Sequence, residues 1–220
     1  MSGEKMYKAK TAVLISGGGT NLQAIIDSWE AGKLPHVELS LVVSSRREAG
    51  GLARAEKAGI PHLFLGKDGF EENLIALLEE NEIDIIVLAG FLKILSPAFT
   101  ERYPNRIINV HPSLIPSFCG DGFYGLKVHE AALEYGVKVT GATVHFVNEV
   151  TDGGRIIAQK AVEVREGDTP ETLQRRVMEE AEWVILPEAL EKVAADICEN
   201  SGARSAGCGG HMQGENIKGA

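Results

Sequence analysis

Short β-branched apolar runs alternate with helix-patterned stretches through the first half of this chain, and no other feature restricts its fold as strongly. Between residues 11 and 110 the strand-like runs are "TAVLIS" (11–16), "VELSLVVSS" (37–45), "PHLFL" (61–65), "IDIIVLAG" (83–90) and "RIINV" (106–110). Between them lie "TNLQAIIDSWEAG" (20–32), "AGGLARAEKAG" (49–59) and "GFEENLIALLEENE" (69–82), with apolar residues near helical spacing. Near-continuous apolar strands are those buried on both faces, and intervening helices carry the chain back to lay each strand parallel to its neighbour. The pattern predicts an α/β fold, a Rossmann-like, mostly parallel sheet with helices on both faces. Thr20 is expected to cap the first helix and Gly32 to end it.

Beyond residue 111 the texture changes. "HPSLIPSFCGDGFYG" (111–125) carries prolines, glycines and aromatics and reads as a loop. A helix over 126–136 follows, then two strands, 137–149 and 155–164, joined by "VTDGG", whose D-G-G turn suggests an antiparallel C-terminal strand. Residues 169–200 read as a long C-terminal helix, with Thr169 as cap, Pro170 at its first position and Pro187 breaking or kinking it. The expected organisation is an N-terminal extension over 1–10, a single domain over 11–199 and a disordered, Gly-rich tail over 200–220.

Composition narrows the function. The net charge of −9 argues against a nucleic-acid partner, since phosphate-backbone binding is driven by Lys and Arg. Arg46 and Arg47 in "SSRR" form the nearest basic cluster, read as a solvated loop after a strand. No apolar run approaches a membrane span, and the N-terminus lacks the apolar core of a secretory signal. Cys119, Cys198 and Cys208 are too scattered for a disulfide framework, so a cytoplasmic setting is expected. Cys208 with His211 would supply two metal ligands, too few for a structural site, and no metal is expected.

Ligands of open parallel sheets bind outside the carboxyl ends of the strands. Three such ends carry candidate chemistry. At "SGGGTN" (16–21) glycines permit a tight turn, and the following helix offers free N–H groups to an anion. The motif lacks the Lys of a P-loop, Leu22 stands at the third dinucleotide glycine, and Ser44, Ser45 and Arg46 replace the acidic residue that would hold a ribose. A phosphate cradle and an empty tight turn both fit. At "LAGFLKIL" (88–95) apolar residues would line a pocket for a flat ligand or simply pack in the core. At "NVHPSL", Asn109 and His111 share one side of the pleat before Pro112 turns the chain away. An amide there is suited to an oxyanion and an imidazole to proton transfer, although a lone His after a strand is more often structural. The missing acid is Asp152 in the glycine-flanked turn, with His145 extending the polar site; a turn-forming Asp is the plainer reading.

Taken in order, "LISGGGTNLQAII", "VLAGFLKILSPAF", "NVHPSLIPSF" and "GATVHFVNEVTDGGRIIAQ" resemble the glycinamide ribonucleotide formyltransferases, over residues 11 to about 195. The resemblance implies transfer of a formyl group from 10-formyltetrahydrofolate, as co-substrate, to the primary amine of a phosphoribosyl glycinamide in purine synthesis. It implies Asn109, His111 and Asp152 as the catalytic amide, imidazole and carboxylate. Gly19, Thr20 and Asn21 match the family's phosphate cradle, and Glu182 its ribose-holding acid. Leu92, Lys93 and Leu95, with the chain from Val147 through Asn148, Glu149, Val150 and Thr151, match the segments around the folate ring. No nucleic acid, membrane or metal enters, and a monomer or homodimer is expected. The loop 116–125 and Trp183 depart from the common family pattern.

The alternative within the superfamily is a formyltetrahydrofolate deformylase-type hydrolase, which would usually carry a small domain ahead of the first strand. A methionyl-tRNA formyltransferase would need a further C-terminal domain and a basic surface. A pyridine-dinucleotide oxidoreductase and a non-catalytic folate or nucleotide binder are the readings from other classes.

Overall fold

A computed structural model describes residues 7–206, with side chains through residue 200. Seven strands form one sheet in the order β3-β2-β1-β4-β5-β6-β7. They are β1 (Ala9–Ile15), β2 (Val37–Ser44), β3 (His62–Phe64), β4 (Ile85–Leu88), β5 (Ile107–His111), β6 (Val139–Phe146) and β7 (Ile156–Glu163). The first five run parallel; β6 pairs antiparallel with β5, and β7 antiparallel with β6. The expected architecture is present, and the order reverses between β1 and β4, where a doubly wound sheet opens its ligand crevice.

The pleat sorts alternate residues into two cores. Val13, Ile15, Val87 and Ile108 face one side, with α1 (Thr20–Glu30), α2 (Gly50–Lys57), α6 (Pro170–Val177) and α7 (Trp183–Ala206) contributing to that core. Ala12, Leu14, Ile86 and Ile107 face the other side, against α3 (Phe70–Glu80) and α4 (Pro97–Arg102). Helix α5 (Leu126–Tyr135) follows the loop after β5. Because the central strands β1 and β4 are covered on both faces, their sequences are apolar at nearly every position, whereas edge strand β3 is only partly covered.

Several local expectations are corrected. Thr20 does not cap α1: the capping position is Gly19, left-handed at φ 72, and Thr20 is the first helical residue. Gly32 does lie just beyond the helix end, at φ +70. Helix α4 was not anticipated; six residues are too few to show a period, although Ser96 caps it and Pro97 opens it. At the C-terminal helix, Thr169 forms a capping box with Thr172 and Pro170 sits at the start, as expected. Pro187 does not break the helix, which runs on to Ala206. Instead a turn of π-helix, Met178–Glu182, separates α6 from α7. Such single-turn insertions are one way a helix absorbs a proline's missing donor and ring clash. Residues 1–6 and 207–220, with most of the expected tail and the Cys208–His211 pair, lie outside the described residues.

Candidate functional site

The carboxyl ends of β1, β4 and β5 open into a cleft of about 670 Å³, within the usual range for small-molecule sites. Its walls hold every candidate active-site residue from the sequence except Gly19.

The glycine turn forms one end of the cleft. Gly17 accepts a hydrogen bond on its carbonyl from the Gly51 N–H at 3.1 Å, and Gly18 accepts one from Arg54 Nε at 2.8 Å. In a trans peptide the C=O and the next N–H point opposite ways. Anchoring both carbonyls on α2 therefore turns the Gly18 and Gly19 N–H groups away from that helix. They join the unpaired N–H groups of the first turn of α1, where the helix dipole favours an anion. A Cβ on Gly19 would lie 2.6 Å from Gly51 Cα, so the contact requires glycine.

Strand register assembles the centre. Asn109 pairs with His145, and His111 with Thr143, across β5 and β6. His145 Nδ1–H donates to the Phe146 carbonyl at 2.8 Å. A neutral ring then leaves Nε2 as an acceptor, and Asn109 Nδ2 donates to it at 3.1 Å. That contact fixes the Asn109 amide and leaves its second N–H for the cleft.

Asp152 comes from the turn after β6, where its φ of 54 places it in the left-handed region that Asp tolerates. Its Oδ2 accepts from the Gly120 N–H at 2.9 Å and lies 3.5 Å from His111 Nδ1; its Oδ1 lies 3.6 Å from His145 Nε2. Burial by itself would raise the Asp152 carboxyl pKa. The close approach of the His145 ring, the hydrogen bond from the Gly120 N–H and the positive potential of His111 outweigh it and hold the group below the usual carboxylate range. The plainer role, an Asp that merely makes its turn, leaves the convergence of one N–H donor and two imidazoles on it unexplained.

Glu182, at the end of the π turn, is buried at 6 % exposure and accepts from Asn21 Nδ2 at 2.7 Å. Burial pushes its carboxyl up to about 7, with the Asn21 bond pulling the other way. The extra residue in that turn re-aims the helix face so that Glu182 meets the glycine turn. Asn21 Oδ1 has no partner among the described residues, which leaves an acceptor at the same spot.

Leu92, Lys93 and Leu95 and the loop Val147 to Thr151 line the same cleft, with Leu95 and Val147 packed in one apolar cluster beneath it. Lys93 Nζ sits 4.4 Å from the centre of the Phe70 ring. Val150 N–H donates to Asn148 Oδ1 at 3.1 Å, Val147 N–H to the Ile107 carbonyl at 2.9 Å and Gly153 N–H to the Val150 carbonyl at 3.0 Å, and these bonds shape that loop.

Sequence reading missed Arg46, His129, Gln174 and Met178, which also line the cleft. His129 is fully buried with both ring nitrogens unpartnered, and burial drives its pKa down to about 4. Its placement on α5 carried no sequence signal. Among the described residues no group of three or more His, Cys, Asp or Glu is arranged to hold a metal ion.

Fold and cleft together define a doubly wound α/β protein of the small-molecule-binding class, with the start of α1 after the glycine turn in the cleft wall. Residues 9–190 match the formyl transferase family model. The chain belongs to the formyl transferase family. It is 42 % identical to the phosphoribosylglycinamide formyltransferase of Haemophilus influenzae over 184 residues, covering 81 % of this chain and 84 % of that protein. It is 47 % identical to the trifunctional purine biosynthetic protein adenosine-3 of Bos taurus, covering 86 % of this chain but only 18 % of that much longer protein. The crystal structure of glycinamide ribonucleotide transformylase 1 from Symbiobacterium toebii superposes with a TM-score of 0.80 at 41 % identity, covering 89 % of this chain and 94 % of that one.

Proposed function

We propose that this protein transfers the formyl group of 10-formyltetrahydrofolate to the amine of phosphoribosyl glycinamide, a step of purine biosynthesis. The observation that carries this reading is the meeting of Asn109, His111 and Asp152 in one cleft, which Thr20 and Asn21 and the segments 92–95 and 147–151 also line. The similarity to phosphoribosylglycinamide formyltransferases supports the same substrates. Free Cys119 and Cys198 accord with a reducing, cytoplasmic setting.

The phosphate lies against the N–H groups around Gly19, Thr20 and Asn21, and the ribose hydroxyls meet Glu182 and Asn21. The folate ring occupies the slot between Leu92, Lys93 and Leu95 and the loop Val147 to Thr151. This brings the glycinamide amine and the formyl carbon together beside β5. The amine nitrogen attacks the formyl carbon, and the carbonyl oxygen takes up negative charge. Asn109 offers its free amide N–H to that oxygen, and His111 offers Nε2–H, which in this structure donates to the Phe118 carbonyl at 2.9 Å. Asp152 faces His111 Nδ1 and stabilises the ring when it is protonated. Asp152 also accepts the amine proton through a water and returns it to the folate nitrogen as the bond from that nitrogen to the formyl carbon breaks. Formylated glycinamide and tetrahydrofolate result, with atoms and charge balanced.

The deciding experiment mixes the purified protein with phosphoribosyl glycinamide and 10-formyltetrahydrofolate and measures the formylated product. Formyl loss to water without product would assign the hydrolase reading instead. No reaction of either kind would remove both.

A further inference from the structure

We infer that Arg46 is the cation that neutralises the substrate's phosphate and makes the site selective for phosphorylated substrates, an inference that rests on the proposed reaction. The glycine turn contributes only neutral N–H groups, while the chain carries a net charge of −9. A phosphate monoester is close to a dianion at neutral pH. Its approach therefore calls for a fixed positive charge near the cradle.

Among the described residues only two Lys or Arg side chains line the cleft, Arg46 and Lys93. They belong to different ends of it. Lys93 follows β4 and sits over the Phe70 ring on the slot side. Arg46 follows β2, the strand paired with β1, and is held against the glycine turn by several contacts. Its neighbour Ser45 donates its N–H to the Ile15 carbonyl at 3.1 Å, and Ser45 Oγ lies 2.7 Å from Ser16 Oγ, one residue before the first glycine. On the far side of Arg46, a Cβ on Gly50 would lie 3.6 Å from Gly18 Cα. The segment carrying Arg46 thus packs along the turn on both flanks.

The other arginines nearby are committed elsewhere. Arg54 is occupied by the Gly18 carbonyl and Gln23 Oε1, and Arg47 lies 4.8 Å over the Phe64 ring. Arg46 is exposed, and its guanidinium has no hydrogen bond or carboxylate partner among the described residues. A planar donor fork with no protein partner, lining the cleft from a segment packed on the glycine turn, suits a phosphate oxygen pair.

The test compares wild type with Arg46→Gln, Arg46→Lys and Arg47→Gln in formyl transfer. KM is measured for both substrates at low and high salt, and thermal midpoints verify folding. The inference expects Arg46→Gln to raise KM for phosphoribosyl glycinamide about tenfold, as loss of one charge-assisted contact would. It expects a weaker salt dependence in that variant, a folate KM within twofold of wild type, partial recovery in Arg46→Lys and no effect from Arg47→Gln. Ribose 5-phosphate should bind wild type measurably by calorimetry and Arg46→Gln about tenfold less well. An unchanged KM and unchanged ribose 5-phosphate affinity in a folded Arg46→Gln protein would overturn the inference. So would a rise confined to the folate KM, which would place Arg46 with the folate carboxylates. Absence of formyl transfer in wild type, with ribose 5-phosphate still dependent on Arg46, would reject the proposed reaction but keep the phosphate site.

Discussion

His111 stands between two acceptors: Nε2 donates to the Phe118 carbonyl at 2.9 Å, and Nδ1 lies 3.5 Å from Asp152 Oδ2. A protonated ring would find a partner at each nitrogen, one neutral and one anionic. The Phe118 carbonyl holds the acceptor position that the proposed mechanism gives to the formyl oxygen. Loop 116–125 therefore touches two of the three catalytic candidates, since Gly120 N–H also donates to Asp152.

Replacing Asp152 with Asn keeps its size and removes its charge. Turnover should fall by ~10² or more, because charge stabilisation of His111 and proton transfer are lost together. The depressed carboxyl also links folding to pH. Its stabilising contribution is present above the unfolded pKa of about 3.9 and is lost as pH falls through the lower folded value. The advantage of wild type over Asp152→Asn in thermal midpoint should thus persist at pH 5 and shrink below about pH 4. A gap that closed already at pH 6 would contradict the depressed carboxyl.

His145 is a positioning residue in the proposed mechanism. His145→Phe removes the acceptor that orients the Asn109 amide. Turnover should drop about tenfold or more while KM for either substrate changes little, given ~10²–10³ for complete loss of an oxyanion donor. Side-chain amide NMR should show the Asn109 resonance shifted in the variant. An unshifted resonance with normal turnover would rule this role out.

Glu182 predicts the opposite pH sign from Asp152. Its raised carboxyl stays neutral up to about pH 7, whereas the unfolded group ionises near 4.5. Stability is therefore fully present below the unfolded pKa and declines as pH rises towards the folded one, by roughly 3 kcal/mol in all. Glu182→Gln, which retains an acceptor for Asn21, should match wild type at pH 4 and exceed it in thermal midpoint by a margin that grows to pH 7 and then levels. The same variant should bind phosphoribosyl glycinamide more weakly. Calorimetric melting across pH 4–9 checks the first outcome, substrate kinetics the second.

Gly19→Ala tests the glycine turn. A side chain there meets Gly51 Cα at 2.6 Å and adopts a left-handed backbone at φ +72. The cost should be about 1–3 kcal/mol of stability, from strain at a positive-φ position. Displacing α2 from the turn should also raise KM for the phosphorylated substrate. Chemical denaturation together with steady-state kinetics reads both effects, and a variant as stable as wild type would contradict the close packing of the turn on α2.

Much of this was legible in the residue order. The five apolar runs before residue 112 correspond to β1–β5, and Gly59, Gly136, Thr169 and Pro170 mark helix boundaries where their chemistry predicts. Asn109 and His111 lie on one side of β5 because of a two-residue period, which any strand carries. Thr20 was misassigned because a cap is set by backbone angle, and Gly19 adopts the left-handed turn that takes the position. Helix α4 was too short to leave a period. The π turn leaves none either, because one extra residue shifts the phase of a helix without altering its composition.

The sequence by itself determined a parallel sheet with polar side chains at its carboxyl edge, since burial on two faces writes itself into continuous apolar runs and turns are written in Gly and Pro. Only the tertiary structure decided which of those side chains meet. The pairing of Asn109 with His145, the reach of Asp152 to both imidazoles, the π turn that delivers Glu182 to Asn21 and the packing of Arg46 beside the glycine turn are such meetings. The physical reason is range. Periodicity and capping act over a few residues, whereas all of these contacts but that of Asp152 with His145 join positions 29 to 161 residues apart and are set by strand register and helix packing.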